Sequence, residues 1–125
     1  MKTLSQLGIY MDHSKAIFLE LKDDAILHNS ISSDFTKEDK EFALSKSEKL
    51  MHNKELHELT HFYKKISDTI RDFQEVLLFG PTEAKNELLN LLKKNHLFDK
   101  IKIGVKATDK MEQSEMDVLV LAYFN

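Results

Sequence analysis

The sharpest chemical signal in the sequence is His57-Glu58-Leu59-Thr60-His61, an H-E-x-x-H string inside a stretch of helical periodicity. Residues four apart share one face of a helix, so the two imidazoles can hold one zinc ion while Glu58 serves as general base. The surroundings argue against that use. At 100° per residue, His57 and His61 point away from the apolar stripe through Leu56, Leu59 and Tyr63, towards water and not into a cleft. The continuation Phe62-Tyr63-Lys64-Lys65 lacks a G-x-x-H extension, which leaves Glu75, Glu83 or Glu87 as the third ligand. Two solvated histidines on a polar helix face are the plainer reading, and neither a metal nor a cofactor is expected.

Asp12 follows an alternating apolar run, the position where a two-metal nuclease holds a carboxylate. Such a site needs several carboxylates converging from neighbouring elements. The run Val76 to Phe79 supplies none, and Asp109 is the only later candidate beside a strand end. Asp12 is therefore expected to form a turn by hydrogen bonding within its own loop. His13 and Ser14 sit beside it without an orienting triad, and turn geometry is their expected role too. There is no cysteine in the chain, which excludes disulfides, thiol nucleophiles and Cys-based metal sites.

Lysines form the other candidate. Net charge is −3 with His neutral, so no global field attracts nucleic acid, yet Lys93, Lys94, Lys100, Lys102, Lys106 and Lys110 face only Asp99 and Asp109 between Lys93 and Lys110. Four of them, Lys93, Lys94, Lys100 and Lys102, are expected to share the edge where a helix ends and a strand begins, in reach of phosphates. The plainer alternative is that Lys93 and Lys94 serve the helix dipole and Lys102 is a solvated strand position. Phe18, Phe62, Phe73 and Phe79 are spaced as core residues and not as a stacking platform for bases.

The chain that must position these residues has 125 residues, 42% of them hydrophobic and 31% charged, with three glycines and one proline. That length suits one domain over residues 1–125, because splitting it would leave two thin cores. No long apolar run is present to enter a bilayer, so a cytoplasmic protein with no membrane partner is expected.

Period-two alternation marks strands at Leu7-Ile9-Met11 and Ile17-Leu19-Leu21, with a third from Ala25 to Ser32 after the turn formers Asp23-Asp24. From about 33 to 53 the pattern dissolves into serine, aspartate and mixed charge, an exposed connection that can reach a partner through Lys46, Lys49, His52 and Lys54. Leu56, Leu59, Tyr63, Ile66, Ile70 and Phe73 then recur at steps of three and four, a long helix with Asn53 as its cap. Val76 to Phe79, stopped by Gly80-Pro81, has the continuous apolarity of a buried central strand. Thr82 caps a helix buried through Ala84, Leu88, Leu91 and Leu92; Ile101, Ile103 and Val105 mark a fifth strand. Thr108 or Asp109 caps a final helix through Met116, Leu119, Val120 and Tyr123, although Val118 to Leu121 also suits a strand. The expected class is α/β, a mixed five-stranded sheet in the order β-β-β-α-β-α-β-α, covered by helices.

Three segments carry a family resemblance: Ile9-Tyr10-Met11-Asp12-His13-Ser14-Lys15-Ala16, Phe62-Tyr63-Lys64-Lys65-Ile66, and Leu77-Leu78-Phe79-Gly80-Pro81-Thr82 before a leucine-rich helix. With the order of elements they resemble the middle domain of eukaryotic and archaeal peptide-chain release factors, the Pelota-type rescue factors and small bacterial relatives, a ribonuclease-H-like fold of the translational machinery. In release factors the connection after the third strand carries Gly-Gly-Gln. Here residues 33–53 contain neither glycine nor glutamine, so the resemblance implies no peptide release. It implies instead a non-enzymatic, translation-associated protein that binds the ribosome or a structured, tRNA-like RNA. A protein-interaction or homo-oligomeric module without RNA contact is the alternative, and a zinc hydrolase using His57, Glu58 and His61 the third.

Overall fold

The computed structural model describes residues 5–22, 25–32 and 60–124. Its strands are β1 (Gln6–Met11), β2 (Lys15–Lys22), β3 (Ala25–Ser32), β4 (Glu75–Gly80) and β5 (Lys102–Ala107), and its helices are α1, described over 60–70, α2 (Ala84–Lys93) and α3 (Gln113–Phe124). A single 3-10 turn, His96–Phe98, follows α2. The strands form one mixed sheet in the order β3-β2-β1-β4-β5. β1 with β2 and β2 with β3 are antiparallel, while β1 with β4 and β4 with β5 are parallel.

Alternation along each strand divides the side chains between two cores, as the pleat demands. Leu7, Ile9, Met11, Phe18, Val76 and Leu78 face α1 and α2, joined by Phe62, Tyr63, Ile66, Ile70, Leu88 and Leu92. Leu19, Leu77 and Phe79 face the other way and meet Met116 and Val120 of α3. Both faces of β4 are therefore filled, which is why Val76 to Phe79 reads as an unbroken apolar run.

Two glycines allow α3 to lie close to the sheet. A side chain at Gly8 would collide with Val120, and one at Gly104 with the hydroxyl of Tyr123. Gly80 has a different reason, because its φ of +149° and its contact with the Met11 carbonyl leave no room for a Cβ.

Several expectations are corrected. α1 ends at 70 and Phe73 lies beyond it, half-buried, after a turn in which its N–H donates to the Ile70 carbonyl. Leu91 is 45% exposed, not part of the buried face of α2. The buried arc runs through Ala84, Leu88 and Leu92 to Lys85, and at 100° per residue Leu91 falls at its margin. The cap position of α2 is Glu83, while the Thr82 hydroxyl accepts from the Ala84 N–H one position earlier than expected. α3 is a helix and not a strand, but neither Thr108 nor Asp109 caps it. Glu112 occupies that place, its carbonyl accepting from Glu115 and Met116 while the Glu115 carboxylate accepts its N–H. Tyr123 is 45% exposed, its ring lying along the helix surface towards Gly104. The expected helix cap Asn53, the apolar positions Leu56 and Leu59 and the Asp23-Asp24 turn lie outside the described residues.

Candidate functional site

The basic edge is built by the return of α2. That helix runs back beside β4 and ends where β5 begins, and the 3-10 turn between them is anchored by Phe98, which is buried. Asn95 shapes this turn by accepting the Leu97 N–H, and the Lys102 N–H donates to the Gln74 carbonyl, which fastens the start of β5. Lys93, Lys94, Lys100 and Lys102 all emerge at this one end of the sheet, and all are exposed. Lys93 and Lys94 also sit where the helix carbonyls concentrate negative charge, which favours cations there.

Beside these lysines lies a groove of about 250 Å³ walled by Leu89, Leu92, Phe98, Ile101 and Ile103, with Lys93 and Asp99 at its rim. Asp99 bonds the ring of His96. Among the described residues none of the lysines in this group forms an ion pair. Lys106 and Lys110 are not part of the edge. A strand rises about 3.3 Å per residue, so the length of β5 carries Lys106 to the opposite end of the sheet, and Lys110 lies beyond it.

At that opposite end the structure assembles a cluster that the sequence did not reveal. Tyr63 of α1 donates its hydroxyl to Glu87 of α2 at 2.7 Å, and His13 of the β1–β2 turn reaches the two Glu87 oxygens at 3.2 and 3.3 Å. Asp12 shapes the turn by accepting from the Ser14 N–H, the Ser14 hydroxyl and the Lys15 N–H, the role expected of it. Nearby, Lys85 is 3% exposed, and its ammonium donates to the Thr82 carbonyl. Burial pushes the Glu87 carboxyl up, but the hydrogen bonds from Tyr63 and His13 outweigh it and hold the group below its ordinary value. Burial first, then the carboxylate beside it, pushes the Tyr63 phenol well above the usual range.

One carboxylate thus ties three elements together. Tyr63→Phe is expected to cost about 1 kcal/mol, since Glu87 is only partly withdrawn from water. A depressed carboxyl stabilises above its unfolded titration and loses that contribution as acid protonates it in the fold, below 4.5. Urea unfolding of both proteins across that range checks this: the gap between them is expected to close in acid, and a gap of constant size would exclude the Glu87 bond as its source.

The H-E-x-x-H string is described only in part. His61 is exposed on the first described turn of α1, while His57 and Glu58 lie outside the described residues. So do Lys46, Lys49, His52 and Lys54 of the expected partner loop. Among the described residues no group of three metal-ligating side chains converges, and none of Glu75, Glu83 and Glu87 joins such a group. No helix there is long and apolar enough to cross a membrane.

No family model and no curated protein matches the sequence. The backbone does have solved counterparts. It superimposes on Pelota from Archaeoglobus fulgidus with a TM-score of 0.62 at 12% identity, covering 97% of this chain and 32% of that one. On Pelota from Thermoplasma acidophilum the TM-score is 0.60 at 10% identity, over 97% of this chain and 31% of that one. On an archaeal translation termination factor it is 0.52 at 14% identity, over 96% and 39%. The chain thus spans about a third of the length of each. The fold is the one these proteins share, as the resemblance drawn from the sequence implied.

Proposed function

We propose that this chain is a translation-associated binding protein that docks on the ribosome or on a tRNA-like RNA surface through Lys93, Lys94, Lys100 and Lys102. The observation that carries this reading is the backbone likeness to Pelota and to a translation termination factor across nearly the whole chain. Fold alone does not fix function, so the site must supply the rest. The lysines on the basic edge make no competing ion pair among the described residues, and their ammonium groups remain available to phosphate oxygens. The role is one of contact, because the connection at 33–53 lacks the glycines and glutamine of a peptide-releasing loop.

Phosphate contact releases counterions, so binding through four lysines is expected to weaken by about a hundredfold between low and physiological salt. Co-sedimentation with ribosomes over a salt series measures this. Combined Lys93→Glu, Lys94→Glu, Lys100→Glu and Lys102→Glu replacement is expected to abolish co-sedimentation with the fold retained by circular dichroism, the reversed charges at the end of α2 and opposite Glu75 lowering the melting temperature only modestly. Lys106→Glu with Lys110→Glu, at the other end of the sheet, is expected to change it little. Equal loss from both sets, or binding indifferent to salt, would refute the basic edge as the docking surface.

A further inference from the structure

The translational reading leaves the outer edge of β3 unused. β3 pairs with β2 along all eight of its residues, from Lys22↔Ala25 to Lys15↔Ser32, without a bulge. Its other side has no strand partner among the described residues. Since bonding direction alternates along an antiparallel ladder, every second residue of β3 presents its N–H and C=O outward.

Open edges are normally blunted by lysine, proline, a bulge or an inward charge. The opposite edge, β5, follows that rule with Lys102 and Lys106 in a strand of six residues. β3 does not. Its sequence, Ala-Ile-Leu-His-Asn-Ser-Ile-Ser, has no Lys, Arg, Asp, Glu or Pro, and its one titratable group, His28, is held by Asp117 of α3 at 2.8 Å.

We propose that β3 is a self-association edge, at which two copies of this chain pair antiparallel about a two-fold axis at Asn29 to join their sheets into one. A two-fold perpendicular to the sheet keeps each face on its own side, so residues meet partners of the same parity. Leu27, Asn29 and Ile31 face α1, opposite Glu20, Phe18 and Ala16 of β2. Centring on Asn29 sets Leu27 against the partner's Ile31 on both sides of the axis. Leu27, otherwise 45% exposed, is then covered. The groove of about 240 Å³ lined by Leu7, Phe18, Leu27, Ile31 and Phe73 is closed from its open side. On the α3 face His28 meets the partner's Ser30 and Ile26 the partner's Ser32, with no like charges opposed. A register centred on His28 would set Leu27 against an asparagine. The strand is thus its own best complement when reversed, which favours a second copy over a foreign extended peptide.

The inference does not rest on the translational reading and fails separately from it. The chain has no cysteine, so Asn29→Cys places a single thiol on the axis. Directly opposed Cα atoms lie about 4.5–5.5 Å apart, within the span of a disulfide. Mild oxidation is expected to convert this variant into a covalent dimer of twice the 14.6 kDa chain mass on a denaturing gel, while Ser114→Cys on α3, whose β3 edge is intact, forms no covalent dimer. By sedimentation, the wild type is expected to be a dimer in the micromolar range, Asn29→Lys and Asn29→Asp each a monomer, and their equimolar mixture a dimer again. Wild-type monomer throughout that range overturns the proposal, whether or not the edge captures an added peptide. So does equal cross-linking of Ser114→Cys, or an Asn29→Lys dimer. If a charged variant does not fold, the cysteine arm decides.

Discussion

Gly80→Ala is expected to destabilise the protein by about 3 kcal/mol, from backbone strain and overpacking together. Gly80 closes β4 at a φ of +149°, which a residue with a Cβ rarely adopts, and the added methyl would run into the carbonyl oxygen of Met11 on the adjacent strand. Neither cost has an easy escape. The clash is with backbone, and Met11 is fixed by its pairing with Ala16 while Gly80 is fixed by its pairing with Ala107. The Gly80 carbonyl also accepts from Thr108, so rotating the peptide away would break that bond. Equilibrium urea unfolding measures the effect as a lower midpoint at an unchanged slope. Wild-type stability in this variant would show that β1 and β4 do not approach as closely as described.

Phe62→Ala is expected to cost more, about 3–5 kcal/mol. Phe62 is 1% exposed on α1 and belongs to the core that joins α1 and α2 to the sheet, its ring beside that of Tyr63. Removing it opens a cavity that its neighbours Ile66 and Ile70 on the same helix are too constrained to fill. Chemical denaturation again gives the magnitude, and the comparison with Tyr63→Phe separates packing from hydrogen bonding one residue apart. A loss no larger than that of Tyr63→Phe would mean that α1 is held to the sheet by its polar contacts and not by its apolar stripe.

The two ends of the sheet have different chemistry. One end carries the lysines at the meeting of α2 and β5, exposed and rimming an apolar groove. The other carries exposed Lys106 and Lys110, and its acidic groups are already engaged, with Glu87 held by Tyr63 and His13, and Asp12 by its own turn. A phosphate-bearing surface would find free donors at the first end. The Glu87 contacts at the second tie α1, α2 and the β1–β2 turn together.

Much of this architecture was legible in the residues because it is encoded locally. Alternation at Leu7-Ile9-Met11 and Ile17-Leu19-Leu21, the unbroken run Val76 to Phe79 and the three-four spacing of Tyr63, Ile66 and Ile70 each report which side of an element meets a core, and neighbours in sequence suffice to set that pattern. The resemblance in fold to release and rescue factors was carried by the order of those elements together with the segments Ile9 to Ala16, Phe62 to Ile66 and Leu77 to Thr82. The meeting of the four lysines was legible for the same reason, since α2 and β5 are joined by one short turn.

What the tertiary structure alone decided depends on contacts between distant segments. His13 and Glu87 are 74 residues apart and Tyr63 is 24 from Glu87, so no spacing rule could unite them, and His13 looked like a turn residue. Leu91 fell outside the core of α2 because the stem of Lys85 took the far side of the buried arc, a matter of how the helix is rotated on the sheet. Lys106 parted from the other lysines because β5 stands in full extension between them. Local periodicity tells each element which face to bury; docking angle, register and strand order choose what that face meets, and they are set by packing that only the assembled layers possess.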